Sequence, residues 1–197
     1  LNNTPGGIPC HLHGGLKAFD KARWSAEPFV RDGVEGVTFR HHSPDGEEGY
    51  PGNVAVTATY TLTADHALRI DYTATTDQPT PINLTNHSYF NLAGEGSGSI
   101  REHVVTLRAR QFTPVNAGLI PLGHLAPVAG TPLDFTEPHA IGERIDDIHE
   151  QLQVAGGYDH NFVADATSRE RVEPALIATV RDPASGRVMD VLTTEPG

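Results

Sequence analysis

One cysteine, few cations and no long apolar run: these are what the sequence is short of. Cys10 stands alone among 197 residues, so no disulfide can form within the chain, and the redox compartment stays open. Lysine and arginine number 14 against 25 aspartates and glutamates, a formal net charge of −11. That acidity opposes a phosphate backbone or an anionic membrane as the main partner and is compatible with a neutral ligand. No stretch approaches the ~20 apolar residues that a membrane span needs. Helical periodicity occurs once. The chain starts at Leu1 rather than Met and stops at Thr193-Thr194-Glu195-Pro196-Gly197, so both ends read as cuts. A leader upstream is left open; the expectation is a cytoplasmic protein, with periplasmic or secreted placement compatible.

Turn formers are abundant. Twenty glycines and 15 prolines argue for many short strands. The clearest periodic signal is Val54, Val56, Ala58, Tyr60 and Leu62 alternating with Ala55, Thr57, Thr59 and Thr61. After Ala64-Asp65-His66, a second run sets Leu68, Ile70 and Tyr72 against Arg69, Asp71 and Thr73. Two such runs joined by a polar loop form an antiparallel hairpin with one buried face and one threonine-rich face. Further strands are expected at 34–42 and 104–108, with a second hairpin pairing 175–181 and 187–193. Trp24 is expected to anchor a strand, and Phe19 to pack in the core with it. Ile141, Ile145, Ile148 and Leu152 repeat on one helical face, which predicts a single helix over 141–153 ending before Gly156-Gly157. Glu47, Glu48 and Gly49 read as a solvated acidic loop, and 165–173 as a charged surface loop. The whole is an all-β chain, a sandwich or barrel in one domain spanning 1–197.

The chemistry-bearing residues fall in three clusters: His11 and His13 beside Gly14-Gly15, Asn86-His87-Ser88-Tyr89 within 82–94, and Asp159-His160 at a strand entrance. The central segment interleaves Leu84, Phe90 and Leu92 with amides, hydroxyls and an imidazole, as a strand end would if it buried one set and offered the other to a polar ligand. Each cluster has a plain structural reading as well, since a lone strand histidine is more often satisfied in place and an aspartate before a strand often forms a turn. His11-Leu12-His13 has the spacing of two metal ligands on one strand face, but it lies in a glycine loop with no carboxylate following at a matching distance, so no metal is expected.

Four segments in order resemble the aldose 1-epimerase (galactose mutarotase) family. They are Leu12-His13-Gly14-Gly15 with Phe19-Asp20-Lys21 and Trp24; Asn83-Leu84-Thr85-Asn86-His87-Ser88-Tyr89-Phe90-Asn91-Leu92; Gly130-Thr131-Pro132-Leu133-Asp134-Phe135; and Gly157-Tyr158-Asp159-His160-Asn161-Phe162. Ala18 stands where the family usually has glycine. The resemblance implies a large antiparallel β-sandwich, the galactose mutarotase-like supersandwich, with a cleft for a neutral sugar. It implies exchange of the α and β anomers of an aldohexose such as galactose or glucose by acid/base ring opening, without cofactor or metal. By the same resemblance His87 is the acid, with His13 beside it as a catalytic residue. His13, Asp159, Tyr89 and Asn86 are the sugar-binding residues. An imidazole suits proton transfer near neutrality.

Three other readings stay open: a sandwich that binds sugar without catalysis, a metal-dependent hydrolase using His11, His13, His87 and His160, and action on phosphorylated hexoses. The last calls for a basic cleft, and few basic residues flank the motifs. The resemblance also sets the family's general base, a glutamate, beyond Gly197 and not at Glu195, and a cleft arginine before Leu1. Residues 1–197 by themselves are therefore expected to exchange anomers hardly at all and to associate through unpaired strand edges and uncovered apolar side chains. Sedimentation of the 197-residue chain, and its anomer-exchange rate against a version extended past Gly197, check this expectation; a monodisperse, fully active chain would contradict it.

Overall fold

A computed structural model describes residues 9–165 and 173–197. The expected loops at 1–15 and 165–173 therefore lie mostly or partly outside the described residues. The chain divides into two compact units, Leu1–His87 and Ser88–Gly197.

In the first unit four strands form one antiparallel sheet in sequence order: β1 (Ser25–Arg31), β2 (Val34–Ser43), β3 (Val54–Leu62) and β4 (Leu68–Thr76). The expected strand at 34–42 and hairpin from Val54 are both present, with Leu62 opposite Leu68 and Val54 opposite Thr76. Alternation sorts the faces. Val54, Val56 and Ala58 are buried. On the opposite face Thr38 and Thr59 hydroxyls meet at 3.4 Å, and Arg40 donates to Thr57 at 3.2 Å while lying 3.8 Å from Glu27. β1 carries no clear alternation and holds Pro28, which an edge strand tolerates. Its signal lies in the turn. Asp32 (φ 52°) and Gly33 (φ 78°) are both left-handed between paired Arg31 and Val34, the two-residue connection that matches strand twist. Gly36 is needed for a different reason: a Cβ there would lie 2.6 Å from the Tyr60 carbonyl oxygen and overlap the tip of the Phe29 ring at Cζ.

The second unit has two antiparallel sheets. β5 (Val104–Leu107) pairs with β8 (His139–Ala140) and β10 (Ala175–Arg181), and β10 pairs with β11 (Val188–Thr193), giving the order β11-β10-β5-β8. The second sheet is β7 (Ala126–Pro127), β6 (Gln111–Phe112) and β9 (Phe162–Val163). The expected hairpin from Ala175 and strand from Val104 are in place, the hairpin with an irregularity between Leu176 and Ala178. Phe112, Val128 and Leu133 form the core, covered by Ala126, Tyr158 and Phe162. Buried Gln151 acts as a substitute strand: its Nε2 donates to the Val115 carbonyl at 2.9 Å and its Oε1 accepts from the Val115 amide at 2.8 Å.

Two expectations about local structure are corrected. The single helix over 141–153 is two short ones, α1 (Ile141–Arg144) and α2 (Glu150–Ala155). His149 interrupts it by accepting the Gln151 amide on its side chain, as an N-cap does, and Arg101 draws Asp146 into a two-pronged ion pair. Ile148, expected on the apolar face, is 94% exposed. The terminus is as expected, with Gly156 left-handed at φ 70°. The second correction concerns 82–94, which forms neither strand nor helix. Pro79 and Pro81 end the β4 ladder, and Phe90 is exposed rather than buried.

Leu133 is 0% exposed, so Leu133→Ala is expected to cost about 2–5 kcal/mol of stability. Ile148→Ala, at an exposed site, is expected to change stability by less than about 0.5 kcal/mol. Urea unfolding of both variants beside the parent checks the contrast.

Candidate active site

In the first unit two loops bring imidazoles together. The first loop runs through Leu12, His13, Gly14 and Gly15. His13 (φ 52°), Gly14 (φ 80°) and Gly15 (φ 107°) are successively left-handed, and the Gly15 amide closes the turn onto the Leu12 carbonyl at 3.0 Å. A left-handed histidine is uncommon and costs backbone energy that the surroundings must offset. The surroundings include Glu48. Its carboxylate accepts the Leu16 amide at Oε2 and the Lys17 amide at Oε1, each at 2.9 Å. The acidic loop is thus not simply solvated, as its composition suggested. Ser43 donates to Glu47, Asp45 accepts the Gly52 amide, and Asp77 accepts both the backbone and side-chain amides of Asn53. The Asn53 side-chain bond is the largest influence holding the Asp77 carboxyl below its usual range.

The second loop follows β4 and ends in Asn86 and His87. The His87 ring stands edge-on to His13, with centroids 5.6 Å apart and planes at 77°. Both residues are exposed, so the pair is open to a solute. Asn86 donates from Nδ2 to the Tyr60 hydroxyl at 3.0 Å. Tyr60 projects from β3 with its ring edge-on to Phe39 at 5.8 Å, so the sheet register places the group that holds Asn86. Tyr72 lies diagonally across the same face, its hydroxyl buried without a well-aligned hydrogen bond. Burial first, and the neighbouring Tyr60 hydroxyl second, push the Tyr72 phenol up to about 12. Tyr60 and Tyr72 were read from sequence only as apolar positions in the alternation. What signalled more was their phenolic type at diagonal positions of one face.

Phe19 and Trp24 pack as expected, though both remain partly exposed. Their rings are 6.0 Å apart and each lies against His41, at 5.3 and 5.2 Å, while the Trp24 indole N–H donates to the Phe19 carbonyl at 2.9 Å. Trp24 leads directly into β1.

The other two sequence candidates belong to the second unit. Tyr89 is 89% exposed. Asp159 is exposed just before β9, not buried in a turn. Its neighbour His160 has a structural role: Nε2 lies 3.2 Å from Gln151 Oε1 and the ring meets Phe112 edge-on at 5.6 Å. Burial pushes the His160 imidazole down against the opposing pull of Asp159. In the same unit the end of the central motif is fastened at Leu92. Its amide donates to Nε2 of buried His103 at 3.0 Å, and its carbonyl accepts from Arg187 at 2.8 Å. His103 and Arg187 were not singled out in the sequence, and nothing in their local pattern marks them. Among the described residues no group of three or more His, Cys, Asp or Glu side chains is arranged to hold a metal ion, and no helix is long and apolar enough to cross a membrane.

The family profile described as Aldose 1-epimerase matches residues 2–197. Galactose mutarotase of Mus musculus is 47% identical over 189 residues, which cover 96% of this chain and 51% of that protein. Aldose 1-epimerase of Escherichia coli (strain K12) is 43% identical over 155 residues, 79% of this chain and 43% of that protein. The chain spans about half the length of the curated relatives it matches. Among solved structures, galactose 1-epimerase from Lactobacillus acidophilus NCFM superposes with a TM-score of 0.77 at 28% identity, covering 87% of this chain and 48% of that one. An aldose epimerase homologue from C. elegans gives 0.72 at 26% identity, covering 96% and 53%. The expected antiparallel all-β class and mutarotase-like fold both hold.

Tyr72 generates a pH expectation. Its neutral form is favoured in the folded state, so the stability this group contributes is full below the ordinary tyrosine value of 10 and is lost as pH rises through about 12. Ultraviolet titration is expected to show one tyrosine ionising near pH 12 that Tyr72→Phe removes, and the variant's stability is expected to fall less steeply between pH 10 and 12.

Proposed function

Because the chain belongs to the aldose 1-epimerase family, we propose that it carries much of the site of an enzyme exchanging the α and β anomers of a neutral aldohexose such as galactose or glucose. The observation that carries this reading is the edge-on pairing of His13 and His87 from two loops distant in sequence. A left-handed turn on one side and a hydrogen-bonded asparagine on the other fix that pairing in an exposed position. We take 1–197 as part of a single mutarotase-like domain.

In this reading His87 is the general acid. It delivers a proton to the ring oxygen as the C1 hydroxyl loses its own, so the ring bond breaks and C1 becomes an aldehyde. Rotation about C1–C2 and closure on the other face return the proton to His87. A second group, acting as general base, takes the C1 proton on opening and returns it to the C1 oxygen on closure. His13, edge-on to the acid, donates or accepts at a sugar hydroxyl and supports the shift of charge during ring opening. Asp159 accepts from sugar hydroxyls through charge-assisted hydrogen bonds, stronger than neutral ones. Asn86, steadied by Tyr60, and Tyr89 complete the sugar contacts. No cofactor enters the scheme. The acidic net charge suits an uncharged substrate better than a phosphorylated one.

His87→Gln in the intact protein is expected to leave the fold unchanged and to slow catalysed anomer exchange by about 10²–10⁴-fold. Polarimetry of freshly dissolved α-galactose checks it. Near-normal exchange by the variant would remove His87 from the acid role, and sugar binding without catalysis by the parent would favour a binding-only protein.

A further inference from the structure

The proposed chemistry uses His13 but not the residue that fixes its loop. Glu48 lies in a 3-10 turn, Glu47–Gly49, which an N-terminal glycine in the left-handed region introduces. Glu48 is itself left-handed at φ 50°, a conformation that costs a non-glycine residue energy. That backbone aims its carboxylate at two successive amides of the other loop, Leu16 and Lys17, one to each oxygen. The base of the turn is held by hydrogen bonds. The Gly46 amide bonds the Tyr50 carbonyl at 2.8 Å, Ser43 donates to Glu47, and Asp45 accepts the Gly52 amide at 2.6 Å. The clamped amides directly follow His13-Gly14-Gly15, whose three left-handed residues put the imidazole edge-on to His87.

We propose that Glu48 is a positioning residue for the site: its carboxylate holds the turn after Gly15 so that His13 keeps its place against His87. The inference rests on the acid/base reading above and extends it to a residue to which that reading gives no part in the chemistry. A carboxylate is suited to the task because it accepts two amides at once, and charge makes each bond stronger than a neutral one. Glutamine has nearly the same shape but turns an amide N–H toward one of the two donors. A loop carrying a reactive group loses rate steeply with small displacements.

The test is a double-mutant cycle on anomer exchange in the intact protein. Glu48→Gln and Glu48→Ala are expected to lower kcat/KM by roughly ten- to a hundredfold. In a His13→Ala background Glu48→Ala is expected to add less than about a twofold loss, because the group it positions is gone. Equal losses in both backgrounds would overturn the proposal and make Glu48 a general stabiliser. Glu48→Gln covers the case in which the alanine variant does not fold. Should the parent protein exchange no anomers, the acid/base reading is what fails, and the clamp is decided by NMR. Glu48→Gln is then expected to speed amide exchange at Leu16 and Lys17 and to shift the ring resonances of both His13 and His87. Unchanged His87 resonances would refute it.

Discussion

The register of β3 against β2 and β4 governs the first unit. A strand's side chains alternate, so a slip of one residue would send Val54, Val56 and Ala58 to the polar face and bury Thr57 and Thr59 among apolar neighbours. The observed register also places Tyr60 beside Phe39, where its hydroxyl receives Asn86. A buried apolar face and the steadying of a candidate site residue thus come from one pairing pattern. The left-handed Asp32-Gly33 turn and the clash that bars a side chain at Gly36 support the same alignment from the β1 side.

In the second unit buried polar groups complement the apolar core. Phe112, Val128 and Leu133 supply the apolar contacts, while Gln151 pairs with both backbone groups of Val115 and leaves neither unsatisfied. Leaving such a pair unmade in a buried place costs about 1–3 kcal/mol for each stranded group. The same logic applies at Leu92, whose amide and carbonyl have no ladder to join. His103 and Arg187 satisfy them instead, and in doing so fasten the last residue of the central motif.

The sequence made legible whatever depended on period-two alternation or on a special turn residue. The hairpin from Val54, the hairpin from Ala175 and the helix stop at Gly156 are of that kind. Hidden were features decided by side chains reaching distant backbone. Ile141, Ile145, Ile148 and Leu152 kept a helical period, yet His149 capped a new helix and Asp146 turned to Arg101. Glu48 read as one more solvated charge because its partners lie 31 and 32 residues away. The strand expected around His87 rested on interleaved apolar residues; two prolines and the bonding of Asn86 to Tyr60 accompany an irregular path instead. Of the candidate site, His13 and His87 were legible through motif resemblance and are brought together. The order of residues gives no measure of the edge-on geometry between them.

The consequence is a division of labour between ladder and clamp. Sheet hydrogen bonds run between backbones and tolerate most substitutions of the residues that make them. Outside the ladders, groups are tied by side chains to backbone or to one another: in the first unit Glu48 to Leu16 and Lys17 and Asn86 to Tyr60, and in the second His103 and Arg187 to Leu92. Such ties follow residue identity, so a single substitution can loosen a loop while the β1–β4 sheet stands. The proposed sugar chemistry would give this arrangement a reason. A pyranose presents hydroxyls in several directions, and loops held by separate clamps can set each polar group at its own angle, which the fixed pleat of a strand does not allow. Paired sheets supply the foundation, and the carboxylate and amide ties set the loop geometry on which the proposed proton transfer depends.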